Sequence, residues 1–123
     1  MRILLIDDEE ELVTTIVDRL FLRNIEADYA TTGAKGLEMI TDKDYELVVI
    51  DLKMAGLSGF QTIEKMKQKK PSLKFIILTG HSDEEDYHRG LAAGAAFYLM
   101  KPTDIEMLVE KINQALNLEA ETR

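Results

Sequence analysis

Four short apolar runs punctuate the chain: Ile3-Leu4-Leu5-Ile6, Leu47-Val48-Val49-Ile50, Phe75-Ile76-Ile77-Leu78 and Ala96-Phe97-Tyr98-Leu99-Met100. Unbroken apolarity over so few residues predicts strands buried on both faces, because a half-exposed strand would alternate. Ile25 to Ala30 is a fifth candidate, but Glu26 and Asp28 make it polar, which suits a sheet edge. Between the runs the period changes. Leu12, Val13, Ile16, Val17, Leu20 and Phe21 recur at three- and four-residue spacings and predict a helix with one apolar face from about Glu9 to Leu22. Ile105, Leu108, Val109, Ile112 and Leu116 predict another near the C-terminus. Ser58 with Gln61, Ser82 with Glu85 and Thr103 with Glu106 have the capping-box spacing and mark helix starts. Lys70-Pro71 closes the third helix. A shorter helix surrounds Leu37 to Ile40, and one from about Asp83 to Ala93 is weakly apolar and contains Gly90, so its hold on the sheet should be loose.

Strand and helix thus alternate along the chain with only short loops between them, which predicts an α/β fold with a parallel sheet. Right-handed crossovers place helices on both faces of a doubly wound sheet, and the polar second strand at an edge favours the order 2-1-3-4-5. The length of 123 residues suits one domain, expected over residues 1–118, with the polar residues 119–123 as a tail or the start of a linker. A hydrophobic fraction of 46% describes a globular chain. At this size roughly two thirds of the unfolded surface can be buried, so any metal is functional and not a structural staple.

Charge and composition narrow the function. The net charge of −8 argues against a general nucleic-acid binder. The absence of cysteine excludes thiol catalysis, disulfides and thiolate metal sites, and is compatible with a reducing, cytoplasmic setting. The first apolar run is too short for a signal-peptide core. Leu91 to Met100, the longest nearly apolar stretch, falls well short of the ~20 residues of a membrane span, so no membrane contact is expected.

In an open parallel sheet, ligands bind beyond the carboxyl ends of the strands. The residues at those ends are Asp7 and Asp8, Asp51, Thr79 and Gly80, and Lys101-Pro102. Three carboxylates, a hydroxyl and an ammonium would therefore converge on one rim. Crowded carboxylates stay ionised cheaply only with a cation between them, and an oxygen-only donor set favours Mg2+ over zinc. With the charge so offset, the Asp51 carboxylate can attack phosphorus and form an acyl phosphate.

Asp7-Asp8, Asp51-Leu52-Lys53-Met54 with Gly59 beyond it, Thr79-Gly80 and Lys101-Pro102, in this order at the strand ends, resemble the receiver domain of two-component response regulators. The resemblance extends from Arg2 to about Asn117. It implies a flavodoxin-like fold and a phosphoryl-accepting switch, not an enzyme acting on a separate substrate. Asp51 is then the phosphoacceptor. Mg2+ is held by Asp8, Asp51 and the Lys53 backbone carbonyl, with Asp7 acting through a water. Thr79 and Lys101 bind phosphoryl oxygens, and Tyr98 is the aromatic that turns inward when Thr79 moves. A cis Lys101-Pro102 bond is implied as well. The partners would be a histidine kinase or phosphotransfer protein and an output domain or protein, reached through the surface of the fourth helix, fifth strand and fifth helix.

Three departures from the family pattern stand out. Ala55 replaces a proline, Thr103 replaces an aromatic, and Lys53 and His81 occupy variable positions. Ala55 and Thr103 nudge towards an alternative, a phosphorylation-independent interaction module, whereas the intact Asp8, Asp51, Thr79 and Lys101 argue for a live site. A flavin or nucleotide enzyme is disfavoured because the loop after the first strand is acidic and lacks glycine. An aspartate-based phosphatase would need an acid where Lys53 stands. Simpler roles suffice elsewhere: Glu9, Glu10 and Glu11 as favourable charge at a helix start, Gly33, Gly36 and Gly56 as turn or cap residues, and Lys65, Lys67, Lys69 and Lys70 as a solvated helix face.

Overall fold

A computed structural model describes residues 2–80 and 83–121. Strand and helix alternate through β1 (Ile3–Ile6), α1 (Glu10–Phe21), β2 (Ala27–Ala30), α2 (Gly33–Asp42), β3 (Leu47–Ile50), α3 (Gly59–Lys69), β4 (Lys74–Thr79), α4 (Glu84–Ala92), β5 (Phe97–Met100) and α5 (Ile105–Glu121). The strands pair in parallel in the expected order β2-β1-β3-β4-β5. Successive residues of a strand point to opposite faces, so each central strand feeds two cores. Leu4, Ile6, Val48, Ile50, Phe75 and Ile77 meet Ile40 of α2 and Ile63 and Met66 of α3 on one side. Ile3, Leu5, Leu47, Val49, Ile76 and Leu78 meet Val13 and Leu20 of α1 and Leu108 and Ile112 of α5 on the other. Unbroken apolar runs are what two covered faces require.

The fifth run departs from that rule. Phe97, Tyr98 and Leu99 are only half-buried and Met100 is 47% exposed. β5 lies at the sheet edge beside β4 alone, so it lacks the second neighbour that would cover it.

Helix starts also shift where a better cap lies nearby. Ser58 and Gln61 form the expected capping box of α3. The α4 box is built by Asp83 and Asp86 instead of Ser82 and Glu85, and Ser82 itself lies outside the described residues. Asp caps as well as Ser, and its charge also suits the helix N-terminus. At α5 the Thr103 hydroxyl donates to the Met100 carbonyl in the turn that leaves β5. The capping role falls to Asp104, whose Oδ1 accepts from the Met107 amide at 2.8 Å. α5 continues to Glu121; of the expected tail, residues 122 and 123 lie outside the described ones.

Two glycines expected at turns pack instead inside α2. A Cβ on Gly36 would lie 2.4 Å from Ile6 Cδ1, and one on Gly33 2.2 Å from Thr62 Oγ1, so α2 sits close against β1 and α3. The lysines of α3 and its C-cap are likewise not merely solvated: the capping Lys70 pairs with Asp44 at 3.1 Å and Lys67 donates to the Ala93 carbonyl at 2.6 Å.

α3 begins hard against the end of β3. The Gly59 amide donates to the Leu52 carbonyl at 2.9 Å. A Cβ on Gly59 would lie 2.4 Å from the Asp51 carbonyl oxygen and 2.6 Å from Leu52 Cα, both backbone atoms with nowhere to turn. Gly56, in contrast, has φ +79° and open space around it. Gly59→Ala should therefore cost about 2–3 kcal/mol in urea unfolding, and Gly56→Ala only about 1 kcal/mol from its backbone angle.

Candidate functional site

Parallel strands bring all their carboxyl ends to one edge, and the sheet's hydrogen bonding continues just past them. The Asp7 amide donates to the Ala30 carbonyl at 3.1 Å, the Asp51 amide to Ile6 at 3.0 Å and the Lys101 amide to Thr79 at 2.9 Å. Three side chains from distant parts of the chain are thereby rooted in the most rigid part of the fold. Thr79 is itself the last residue of β4 and is fully buried. The Lys101-Pro102 bond is cis.

The side chains converge on Asp51. Thr79 Oγ1 donates to its Oδ1 at 2.8 Å, and Lys101 Nζ to its Oδ2 at 3.1 Å. The same ammonium donates to Asp7 Oδ2 at 2.6 Å and approaches Glu9 Oε1 at 3.5 Å. Asp7 Oδ1 accepts from the Glu9 amide at 2.9 Å, which fixes the carboxylate plane. Asp8 is exposed, and its Oδ2 accepts a long bond of 3.4 Å from the Ala55 amide. One oxygen from each of Asp7, Asp8 and Asp51 lies within 4.8 Å of the others.

One ammonium among several carboxylates balances the site incompletely. Burial pushes the Asp7 carboxyl above the usual range, against the pull of Lys101 and the Glu9 amide, with the Asp51 charge adding to the rise. Burial acts to lower Lys101, but the hydrogen bonds and charges of Asp7 and Asp51 outweigh it and hold the ammonium above its ordinary value. The stability that Lys101 contributes is thus present below its ordinary value and is lost as pH rises through the raised folded one. The three carboxylates remain short of positive charge, and their oxygen donors fit a hard divalent cation.

The model of the response regulator receiver domain matches residues 3–113. The chain belongs to that family. Among similar proteins, the response regulator ArlR of Staphylococcus saprophyticus is 33% identical over 115 residues, covering 94% of this chain and 52% of the relative. This receiver thus spans about half the length of the curated relatives it matches. The CheY-like receiver domain protein of Methanospirillum hungatei superposes with a TM-score of 0.92 at 30% identity, covering 99% of this chain and 98% of the other. A receiver domain of Clostridium thermocellum gives a TM-score of 0.90 at 32% identity, with 99% and 98% covered. Members of this family are phosphoacceptor regulators of two-component signalling, and the flavodoxin-like sheet is theirs.

Within this receiver, Asp7, Asp8, Asp51, Thr79 and Lys101 lie together. Lys53 joins them through its backbone amide, which donates to Asp51 Oδ1 at 3.3 Å, while its side chain is exposed. Tyr98 pairs with Ile77 in the sheet register and stacks edge-on against Tyr87, ring centroids 5.3 Å apart. His81 lies outside the described residues. Two contributors go beyond what their sequence positions suggest. Glu9 is more than a helix-start charge, since its amide orients Asp7 and its carboxylate faces Lys101. Gly59 gives α3 its close approach to the Asp51 backbone; only its spacing from Asp51 was a sequence signal. No helix among the described residues is long and apolar enough to cross a membrane.

Because burial disfavours the ionised form of Asp7, the neutral Asp7→Asn variant should melt higher than the wild type at neutral pH in chelator. A carboxyl raised in the folded state binds its proton more tightly there than in the unfolded chain, so the wild type recovers this stability as pH falls. The difference in melting temperature should shrink as pH is lowered into the carboxylate range, as followed by circular dichroism.

Proposed function

We propose that Asp51 accepts a phosphoryl group from a phosphohistidine on a partner kinase or phosphotransfer protein. The observation that supports this best is the pairing of its two oxygens with different donors, the Thr79 hydroxyl and the Lys101 ammonium, at a buried strand end. Both donors serve a phosphoryl group equally well. An Asp51 oxygen attacks phosphorus, the phosphorus–nitrogen bond breaks, and its electron pair stays on the imidazole nitrogen, which takes up a proton. Lys101 then pairs with one phosphoryl oxygen and Thr79 donates to another.

Asp8, Asp51 and the Lys53 carbonyl would hold Mg2+, with Asp7 acting through a water. When bound, the ion offsets the negative charge of the carboxylates and the incoming phosphoryl group. The domain assists its own phosphorylation and dephosphorylation and turns over no other substrate.

Readout follows from Thr79. Its hydroxyl leaves Asp51 for the phosphoryl group, and Tyr98, two residues back on the neighbouring strand, turns inward. That rearranges the surface of α4, β5 and α5, where Tyr87, Leu91, Met100 and Met107 are exposed. An output domain or separate protein reads this change. The net charge of −8 makes nucleic acid an unsuitable direct partner of this domain, and no part of this reading calls for a membrane.

Incubation with acetyl phosphate and Mg2+ should add one phosphoryl mass increment, absent from Asp51→Asn; no increment with any phosphoryl donor would leave the phosphorylation-independent module as the reading. In a thermal melt, Mg2+ at a hundredfold excess over its Kd should add about 2.7 kcal/mol of stability. Asp8→Asn should lose most of that gain.

A further inference from the structure

α4 is held to the rest of the molecule in an unusual way. Its one buried residue is Gly90, so no side chain of its own is fully inserted into the core. Gly90 instead lets the helix backbone ride on β4 and β5: a Cβ there would lie 2.8 Å from Ile77 Cδ1 and 2.9 Å from Tyr98 Cδ2. Beside it, a groove of about 430 Å³ separates α4 from α3, lined by Phe60, Ile63, Lys67, Arg89 and Ala93 among others. Two tethers cross that groove. The Arg89 guanidinium stacks on the Phe60 ring, 4.2 Å from its centroid, and Lys67 Nζ donates to the Ala93 carbonyl at 2.6 Å.

Both tethers act on the second half of α4. There the backbone closes with the Gly94 amide donating to Leu91 at 3.0 Å and the Ala95 amide to Gly90 at 3.2 Å, with Gly94 at φ +92°. This leaves the Ala93 carbonyl outside the helix's own hydrogen bonding, at the negative end of the dipole, where an ammonium is the best available partner. The first turn of α4 has its local Asp83–Asp86 box, and its cap, Asp83, stands four positions after Thr79 in the chain. One end of the helix is chained to the acceptor site and the other is tied to α3.

We propose that Lys67 is a positioning residue that makes the C-terminal end of α4 the fixed point of the switch. When Thr79 moves, α4 swings about the Ala93 tether instead of shifting bodily, so the change is greatest at its first turn. This rests on the proposed phosphoryl switch at Asp51 and adds the element that gives its output a direction. Lys67 does not touch the acceptor site, so phosphorylation itself does not depend on it.

Amide hydrogen exchange on the whole chain tests this with Lys67→Met, which keeps the stem and removes the charge, and Lys67→Arg, which restores a donor. In Lys67→Met, exchange at the Ala93, Gly94 and Ala95 amides should accelerate on the order of tenfold, with β1 and β3 amides unchanged and Lys67→Arg close to wild type. After acetyl phosphate treatment, faster exchange should be confined to the first turn of α4 in wild type and should spread through the helix in Lys67→Met, with the same mass increment on Asp51 in both. Unchanged exchange at the last turn in Lys67→Met, or equal opening of both ends in the phosphorylated wild type, would overturn the proposal. A wild type that takes no phosphoryl group refutes the acceptor reading instead; the unphosphorylated variants still decide whether the tether exists.

Discussion

The Lys101 ammonium is the charge on which the rest of the site depends. Asp7 and Asp51 are almost fully buried at the strand ends, where like charges in a poorly solvated place repel strongly. One lysine donates to both and approaches Glu9 as well, and it is itself only slightly exposed. Its position comes from the backbone, because the Lys101 amide extends the β4–β5 pairing onto the Thr79 carbonyl. Sheet geometry and site electrostatics are thus a single constraint: the strand that aims the lysine also borders the threonine that shares Asp51 with it.

A similar economy governs the loop between β3 and α3. Gly59 lets α3 begin in contact with the Asp51 backbone, and the Ser58–Gln61 box fixes that beginning. Asp51 is therefore held from below by β3 and from the side by α3. The Lys53 and Ala55 amides donate to the carboxylates of Asp51 and Asp8, and the second of these donors exists only because position 55 is not a proline, which has no amide hydrogen.

Much of this was legible in the amino-acid sequence because burial leaves a period. The two-sided cores of β1, β3 and β4 require unbroken apolar runs, and the polar β2 could only be an edge. The site residues could be found because a parallel sheet makes the residue after each run a rim residue. What was not legible depends on neighbours distant in sequence. β5 carries the apolar run of a strand buried on both faces, and its half-exposure follows from the edge position in the sheet, not from its own residues. Gly33 and Gly36 look like turn residues, and only the approach of Thr62 and Ile6 shows them to be packing residues. Thr103 has a capping partner at the right spacing, but Asp104, one residue on, supplies the accepting oxygen at the start of α5. Lys67 belongs to a lysine-rich stretch whose composition suggests solvent, and its partner lies 26 residues away.

The rim residues are also far apart along the chain: Lys101 meets an aspartate 94 positions earlier and another 50 positions earlier. No fragment and no partly folded intermediate lacking β5 contains the complete set of groups. The four strand ends are brought together only by the finished sheet, so the cluster as a whole exists only in the folded molecule. The cluster is therefore also a report on the whole sheet, complete only in molecules where β1, β3, β4 and β5 are all in place.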